Sequence, residues 1–377
     1  MSETDYNEQI DELLARADAL PHGMAQYAFC DEAVSLADAH NDIDAGYKAR
    51  QRYVEATTFS GQPEKALVAF TWCLAQYDGA PDRFRAHTLL WQYKWVANAL
   101  PRFPQVSREQ FAATIDDLER RFLAYGSTAQ PICRVRHTAA LKMGDLDAAR
   151  DAFARLAKLK RGTLSDCEAC EMDSRVWHHV CLGDDAAAVA AAGVILDGHY
   201  SCSSVPHETL AQVLLPLLRL GRGPEAMAHH RRGYLMISKN PLHFISEIGA
   251  HIKFLALTGN HTRGLRLIEN YLHLALETRC PAWAFDFFLA VKVLLESRRE
   301  VRSGPVRIRL PESFPERSGS GKYDLDRLHA WFAGRAAEIA AEFDARNGND
   351  WYSGDLDQYQ RMKPFAVDLP FTVRREE

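Results

Sequence analysis

MGDLDAARDAF, residues 143–153, reads as the end of one helix, a glycine turn, and the start of a second helix carrying a small residue and an aromatic on one face. The same order recurs in SGQPEKALVAF (60–70), LGDDAAAVAAA (182–192), LGRGPEAMAHH (220–230) and TGNHTRGLRLI (258–268). The aligned glycines are Gly61, Gly144, Gly183, Gly221 and Gly259, separated by 83, 39, 38 and 38 residues; the first gap is roughly two periods. Self-similarity at such a period predicts stacked helical hairpins, because a single hairpin cannot bury its apolar face alone. One position of the second helices stays small: Ala66, Ala149, Ala188, Ala226 and Gly264. Close backbone approach within each hairpin explains it, since a large side chain there would push the helices apart.

Outward from these turns, helical spacing predicts pairs at 5–18 with 23–39, 43–60 with 62–77, 81–98 with 107–124, and 128–142 with 145–159. Further pairs fall at 167–182 with 184–197, 205–219 with 222–237, and 242–258 with 261–278. Ser107 and Gln110 have the spacing of a capping box. An apolar helix, AWAFDFFLAVKVLL, follows Pro281 and needs cover. Residues 324–346, with Leu325, Leu328, Phe332, Ala336, Ile339 and Phe343 in one stripe, would supply it. The expected organisation is a repeat array over 1–298, an irregular connector over 299–322, a capping helix over 323–350 and a tail over 351–377. The fold class is all-α, a superhelical array of antiparallel helix hairpins.

The turns resemble those of the tetratricopeptide repeat family, in which a glycine turn precedes an alanine and an aromatic on the second helix. Gly61, Ala66 and Phe70 match, as do Gly144, Ala149 and Phe153; the pairs Gly183–Ala188, Gly221–Ala226 and Gly259–Gly264 match in part. The resemblance covers roughly residues 40–280. It departs from the family in its longer period and in Val54, His137, Val176, Leu214 and Ile252, which replace the small residue of the first helix. It implies a right-handed superhelix whose concave face holds a peptide or partner protein, with no obligatory enzyme activity.

The 377 residues are 47% hydrophobic and 25% charged, with a formal net charge of -5. That balance argues against a nucleic-acid partner, which selects a basic surface. No run approaches the 18 uncharged apolar residues of a membrane span. The acidic, already helical N-terminus lacks the features of a signal peptide. A cytoplasmic protein is therefore expected, and its eight cysteines read as thiols or metal ligands rather than disulfides.

SDCEAC (165–170) and HYSCSSVPHE (199–208) form the sharpest local constellation. Cys167 and Cys170 have the Cys-x2-Cys spacing of a zinc chelate, at the first turn of a helix that Asp166 or Ser165 would cap. Cys202 and His207 fall at the same edge of the next repeat. Together the four predict one structural zinc ion clipping adjacent repeats. His199, His178 and His179 are rival fourth ligands. Unligated buried thiols and redox chemistry at a low-pKa helix-start thiol are the alternatives.

Partner binding is expected from first-helix side chains of both signs: Gln51, Glu55, Arg134, Thr138, Glu208 and Lys253. His243, Glu247 and His251, spaced by four residues, would line the same groove. Three collinear ligands span roughly 12 Å, too far for one ion. His229, His230, Arg231 and Arg232 form a basic cluster read as a solvated helix face, with a phosphate or acidic-peptide site as the alternative. No phosphate loop, nucleophile elbow or HExxH motif is present, so catalytic residues are not assigned. An enzyme or enzyme accessory using the Cys/His cluster, or a peptide-sensing regulator, are the other readings, and a homodimer stays open.

Overall fold

A computed structural model describes residues 3–371 of the chain. Its helices are α1 (Glu3–Asp18), α2 (Met24–Ala39), α3 (Ile43–Phe59), α4 (Pro63–Gly79), α5 (Ala86–Ala99), α6 (Arg108–Ala124), α7 (Gln130–Met143), α8 (Leu146–Leu156), α9 (Glu168–Cys181) and α10 (Asp185–Leu196). They continue as α11 (His207–Gln212), α12 (Leu214–Arg219), α13 (Gly223–Ile237), α14 (Ile245–Leu257), α15 (His261–Glu277) and α16 (Pro281–Val301). After a two-residue antiparallel pair, β1 (Val306–Arg307) with β2 (Lys322–Tyr323), come α17 (Leu325–Asn347), α18 (Trp351–Gly354) and α19 (Gln358–Met362). Among the described residues the regular structure is helical apart from that pair. None of the described helices is long and apolar enough to cross a membrane.

Every glycine that defines the period adopts the left-handed conformation: φ is 80° at Gly61, 73° at Gly144 and Gly183, 71° at Gly221 and 72° at Gly259. The following amide then turns back to a carbonyl five residues earlier. Gln62 N–H bonds Thr57 O, Asp145 bonds Ala140, Asp184 bonds His179, Arg222 bonds Leu217 and Asn260 bonds Leu255, at 2.8–2.9 Å. This closure satisfies helix-end carbonyls that would otherwise be orphaned. The same closure recurs between hairpins: at Asn41 (φ 54°), Asp42 N–H reaches Ala37 O, and at Gly126 and Gly198, Ser127 and His199 reach Phe122 O and Val194 O. Where the next residue is Asp184, its carboxylate also accepts from Ala187 N–H and starts α10.

Packing contacts divide the chain into two units, Met1–Ala139 with Asp147–Ser165, and Ala140–Leu146 with Asp166–Glu377. In the first, successive helices α1 to α6 each pack on the next, and α1 also meets α3, as α3 meets α5. Ser107 and Gln110 form the predicted capping box of α6. Lys94 is fully buried; its Nζ donates to Leu164 O at 2.5 Å and lies 3.6 Å from the Trp91 ring centre.

In the second unit α9 packs on α10 and α11, α11 and α12 on α13, α13 on α14, α14 on α15 and α16, and α16 on α17. Trp283, Phe285, Phe287 and Phe288 are core residues, and Phe288 meets the Trp331 and Phe332 rings of α17. The stripe on α17 thus covers α16. The small-residue column is buried throughout: Ala66, Ala149, Ala188 and Ala226 are at most 3% exposed, and a β-carbon on Gly264 would lie 2.7 Å from Leu294 Cδ1. Val54, His137, Val176, Leu214 and Ile252 are all 0% exposed, so the departures from the family pattern are core side chains.

Several boundaries differ from the sequence reading, among them the start of α14 at Ile245 and the end of α8 at Leu156. The third pair begins at Ala86, after a 3-10 turn at Pro81–Arg83. The helix expected over 205–219 is broken into α11 and α12 at Val213. Pro216 is the cause: its ring excludes the carbonyl of Gln212, the last residue of α11, and it has no N–H to give. Helix α16 runs on to Val301, into the expected connector.

Candidate metal centre

Cys167 is the residue that caps α9. Its Sγ accepts from the Cys170 N–H at 3.5 Å, in the place given from sequence to Asp166 or Ser165. Ser165 is engaged elsewhere, donating to Gln130 Oε1 at 2.7 Å and accepting from Gly162 N–H. One helical turn onward, Cys170 points back toward the same end. Cys202 comes from the loop between α10 and α11, which closes on itself through Cys202 N–H to Val205 O at 2.9 Å. The sulfurs of Cys170 and Cys202 are 3.5 Å apart, and the three ligand atoms of Cys167, Cys170 and Cys202 lie within 4.8 Å of one another. Cys167 is exposed while its partners are half-buried.

Those spacings suit a metal. Zinc–sulfur bonds of about 2.3 Å in a tetrahedral shell place sulfurs about 3.8 Å apart. Three soft donors also select zinc or another thiophilic ion over calcium or magnesium. Electrostatics agree with a shared charge. The Cys170 and Cys202 thiols hold Cys167 below the ordinary thiol range, helped by the Cys170 N–H. Cys170 is raised in return, first by Cys167 and then by Cys202, and Cys202 is raised first by Cys167. Cys167 also sits at the positive end of α9, which favours a thiolate there. Outside this group, burial pushes the Cys30, Cys73 and Cys181 thiols up to about 12, leaving them unreactive.

His207 does not join the thiols. Its ring stacks on Phe244 with centres 5.0 Å apart, and burial lowers its pKa. The helix there starts at His207, so the backbone turns the imidazole toward α14 rather than back to the α9 cap. His199, His178 and His179 are outside the group as well; His178 is core, with His179 edge-on beside it. Support for the cysteines comes from Asp173, one turn beyond Cys170. It is buried and accepts from Thr209 Oγ1 at 2.5 Å and Gln212 Nε2 at 3.1 Å, tying α9 to α11. Sequence reasoning missed Asp173, because an acidic residue on a helix gives no sign of burial.

The groove candidates divide. Gln51, Glu55, Arg134, Thr138, Glu208, His243, Glu247 and Lys253 are half-buried. Gln51 gives its backbone carbonyl to Gln92 Nε2 at 2.7 Å, and Glu55 lines a pocket of about 300 Å³ with Asp18 and Arg52. His251 is no groove residue: it is 0% exposed, its Nδ1 2.8 Å from Nδ1 of buried His230. His243 precedes α14, whose first residue is Ile245, so the three-residue row does not exist on one helix; His243 Nε2 instead meets Ser204 Oγ at 3.4 Å. The basic cluster splits too, with His230 inside and His229 beside Glu225 at 3.7 Å.

No protein-family model matches this chain, and no curated protein is detectably similar to it.

Proposed function

We propose that this chain is a scaffold of tetratricopeptide-like helical hairpins that binds an extended peptide or protein segment, and that Cys167, Cys170 and Cys202 hold a zinc ion stapling two neighbouring hairpins. The observation that carries the staple is the convergence of three thiols from two hairpins within 4.8 Å. Supporting the scaffold are the repeated left-handed glycine elbows and the half-buried first-helix side chains of both signs, which suit a polypeptide better than a polyanion. Bound zinc would supply a positive charge that holds the three sulfurs as thiolates and links the α9 cap to the loop before α11. A rigid scaffold lowers the ordering cost of its ligand.

Three protein thiols would leave a four-coordinate ion one position for a further donor, and Cys167 is the most exposed of the three. That count favours a second reading, an enzyme or accessory protein with an open metal position. Metal analysis of the full chain tests the staple: one equivalent of zinc is expected, lost in Cys170→Ser and Cys202→Ser and kept in Cys73→Ser. Absence of metal from the wild-type chain, with no uptake on zinc titration, removes it. X-ray absorption of the zinc form separates a fourth light-atom ligand from a shell closed by the protein.

A further inference from the structure

The last described residues, 366–371, have no regular structure and lie along helices far earlier in the chain. Val367 N–H donates to Leu257 O at 2.9 Å and Leu369 N–H to Thr258 O at 3.3 Å. Asn260 Nδ2 returns a bond to Leu369 O at 2.9 Å. The segment thus bonds to carbonyls at and just past the end of α14, where the helix supplies no amide of its own; Thr258 O also accepts from Asn260 Nδ2. Backbone pairing of this sort is a common way to hold a peptide of variable sequence.

Side chains then fix its position. Leu369 occupies the space beside Gly223, where a β-carbon would lie 2.8 Å from Leu369 Cδ1. The Asp368 carboxylate sits over the Gly259 elbow, 3.1 Å from where a β-carbon would be. Phe371 lies under two guanidinium groups, with Arg263 3.6 Å and Arg231 4.5 Å from its ring centre, and meets the His230 ring edge-on. Yet residues 366–368 and Pro370 are exposed, and only Leu369 and Phe371 are half-buried. Few buried anchors on an exposed backbone mark a segment that opens without unfolding its support.

We propose that the surface formed by α13, the C-terminal end of α14 and α15 is a binding site for an extended peptide of acidic–aliphatic–proline–aromatic type, and that the chain's own residues 366–371 occupy it until such a peptide displaces them. The site lies on two second helices, the end of α14 and the Gly259 elbow, not on the first-helix residues named from sequence, and it does not depend on the metal. Gly223 at the start of α13 and Gly259 at an elbow clear its floor, and two arginines grip the Phe371 ring through their cation–π attraction. Tethering presents the tail at an effective concentration of order mM, so a ligand succeeds only by binding more tightly or when the tail is weakened.

The test uses a fluorescent peptide of residues 364–371 and two full-length chains, wild type and Leu369→Ala/Phe371→Ala. The double variant should bind the peptide at least tenfold more tightly than wild type, and Arg263→Ala in that background should remove the gain. Equal binding by both chains, binding insensitive to Arg263→Ala, or unfolding of the double variant would each overturn the proposal. Hydrogen exchange of the wild-type chain provides an independent check. Val367 and Leu369 amides should exchange well before those in the middle of α14; exchange together with α14 makes the tail an integral part of the core and defeats the idea.

Discussion

Trp351 covers Gly144 so closely that a β-carbon on residue 144 would lie 2.5 Å from the Trp351 Cβ and Cγ. Asn349 reaches the same elbow, its Nδ2 donating to Met143 O at 2.8 Å. The segment after α17 therefore closes on a turn more than 200 residues earlier in the chain. The sequence reading left that tail without a place.

Gly144→Ala and Gly183→Ala separate strain from crowding. Both glycines have φ of 73°, but nothing lies within 4 Å of a β-carbon at Gly183. Gly183→Ala should cost about 1–2 kcal/mol, the left-handed penalty alone. Gly144→Ala should cost about 2–5 kcal/mol, because overpacking against Trp351 adds to that penalty. Urea unfolding measures both, and equal losses would mean that Trp351 is easily displaced.

The small-residue column gives a second series. Ala188→Leu and Ala149→Leu place a large side chain at positions that are 0% exposed, and each should destabilise by about 1–3 kcal/mol. Val68→Leu on α4, at 74% exposure, should stay within about 0.5 kcal/mol. Similar melting temperatures for all three would contradict the close helix approach.

Acid sensitivity should come from buried histidine. Burial, with Arg231 and Arg263 nearby, lowers His230 to about 3, and burial lowers His251 well below its ordinary value. His207, His229 and His261 are lowered as well, mainly by burial. The unfolded chain takes up these protons near pH 6.5 and the folded chain does not. Stability is therefore full above about pH 6.5 and falls as pH drops toward the folded values. Each deeply shifted group contributes a slope of up to about 1.4 kcal/mol per pH unit. Between pH 5 and 6.5 most carboxylates stay ionised, so histidine dominates. His230→Leu/His251→Leu, which removes both partners of one hydrogen bond, should give a visibly shallower slope in urea unfolding across that window; an unchanged slope would count against it.

Chelation supplies a fourth measurement. If zinc bridges α9 and the loop before α11, a strong chelator should lower the melting temperature of the wild-type chain and restore it on zinc addition. Cys170→Ser should already show the lower value and respond to neither treatment. A wild-type melting curve indifferent to chelator would leave the three thiols as packing residues.

Much of the fold was legible because helix ends are local events. Left-handed glycines, capping residues and small positions at one spacing reveal themselves within a few residues, and the structure puts each elbow where the sequence does. Pro216 was in view as well, but a rigid-ring break needs its carbonyl neighbour to be counted, so one helix was read as continuous. The site was half legible. Cys-x2-Cys and Cys202 converge as the repeat register requires, while His207 and His251 turn into the core, because which face of a helix meets its neighbour depends on the neighbour.

By itself, then, the sequence determined the helices, their elbows and the period, since backbone conformation and hydrogen-bond closure within a turn are set by adjacent residues; it offered the three cysteines as candidates, and the fold brought them together. Only the tertiary structure decided that His207 stacks on Phe244, that His230 and His251 share a buried bond, and that the tail settles on Gly144, Gly223 and Gly259. Those choices depend on shape and charge brought together from distant parts of the chain, and no local pattern encodes them.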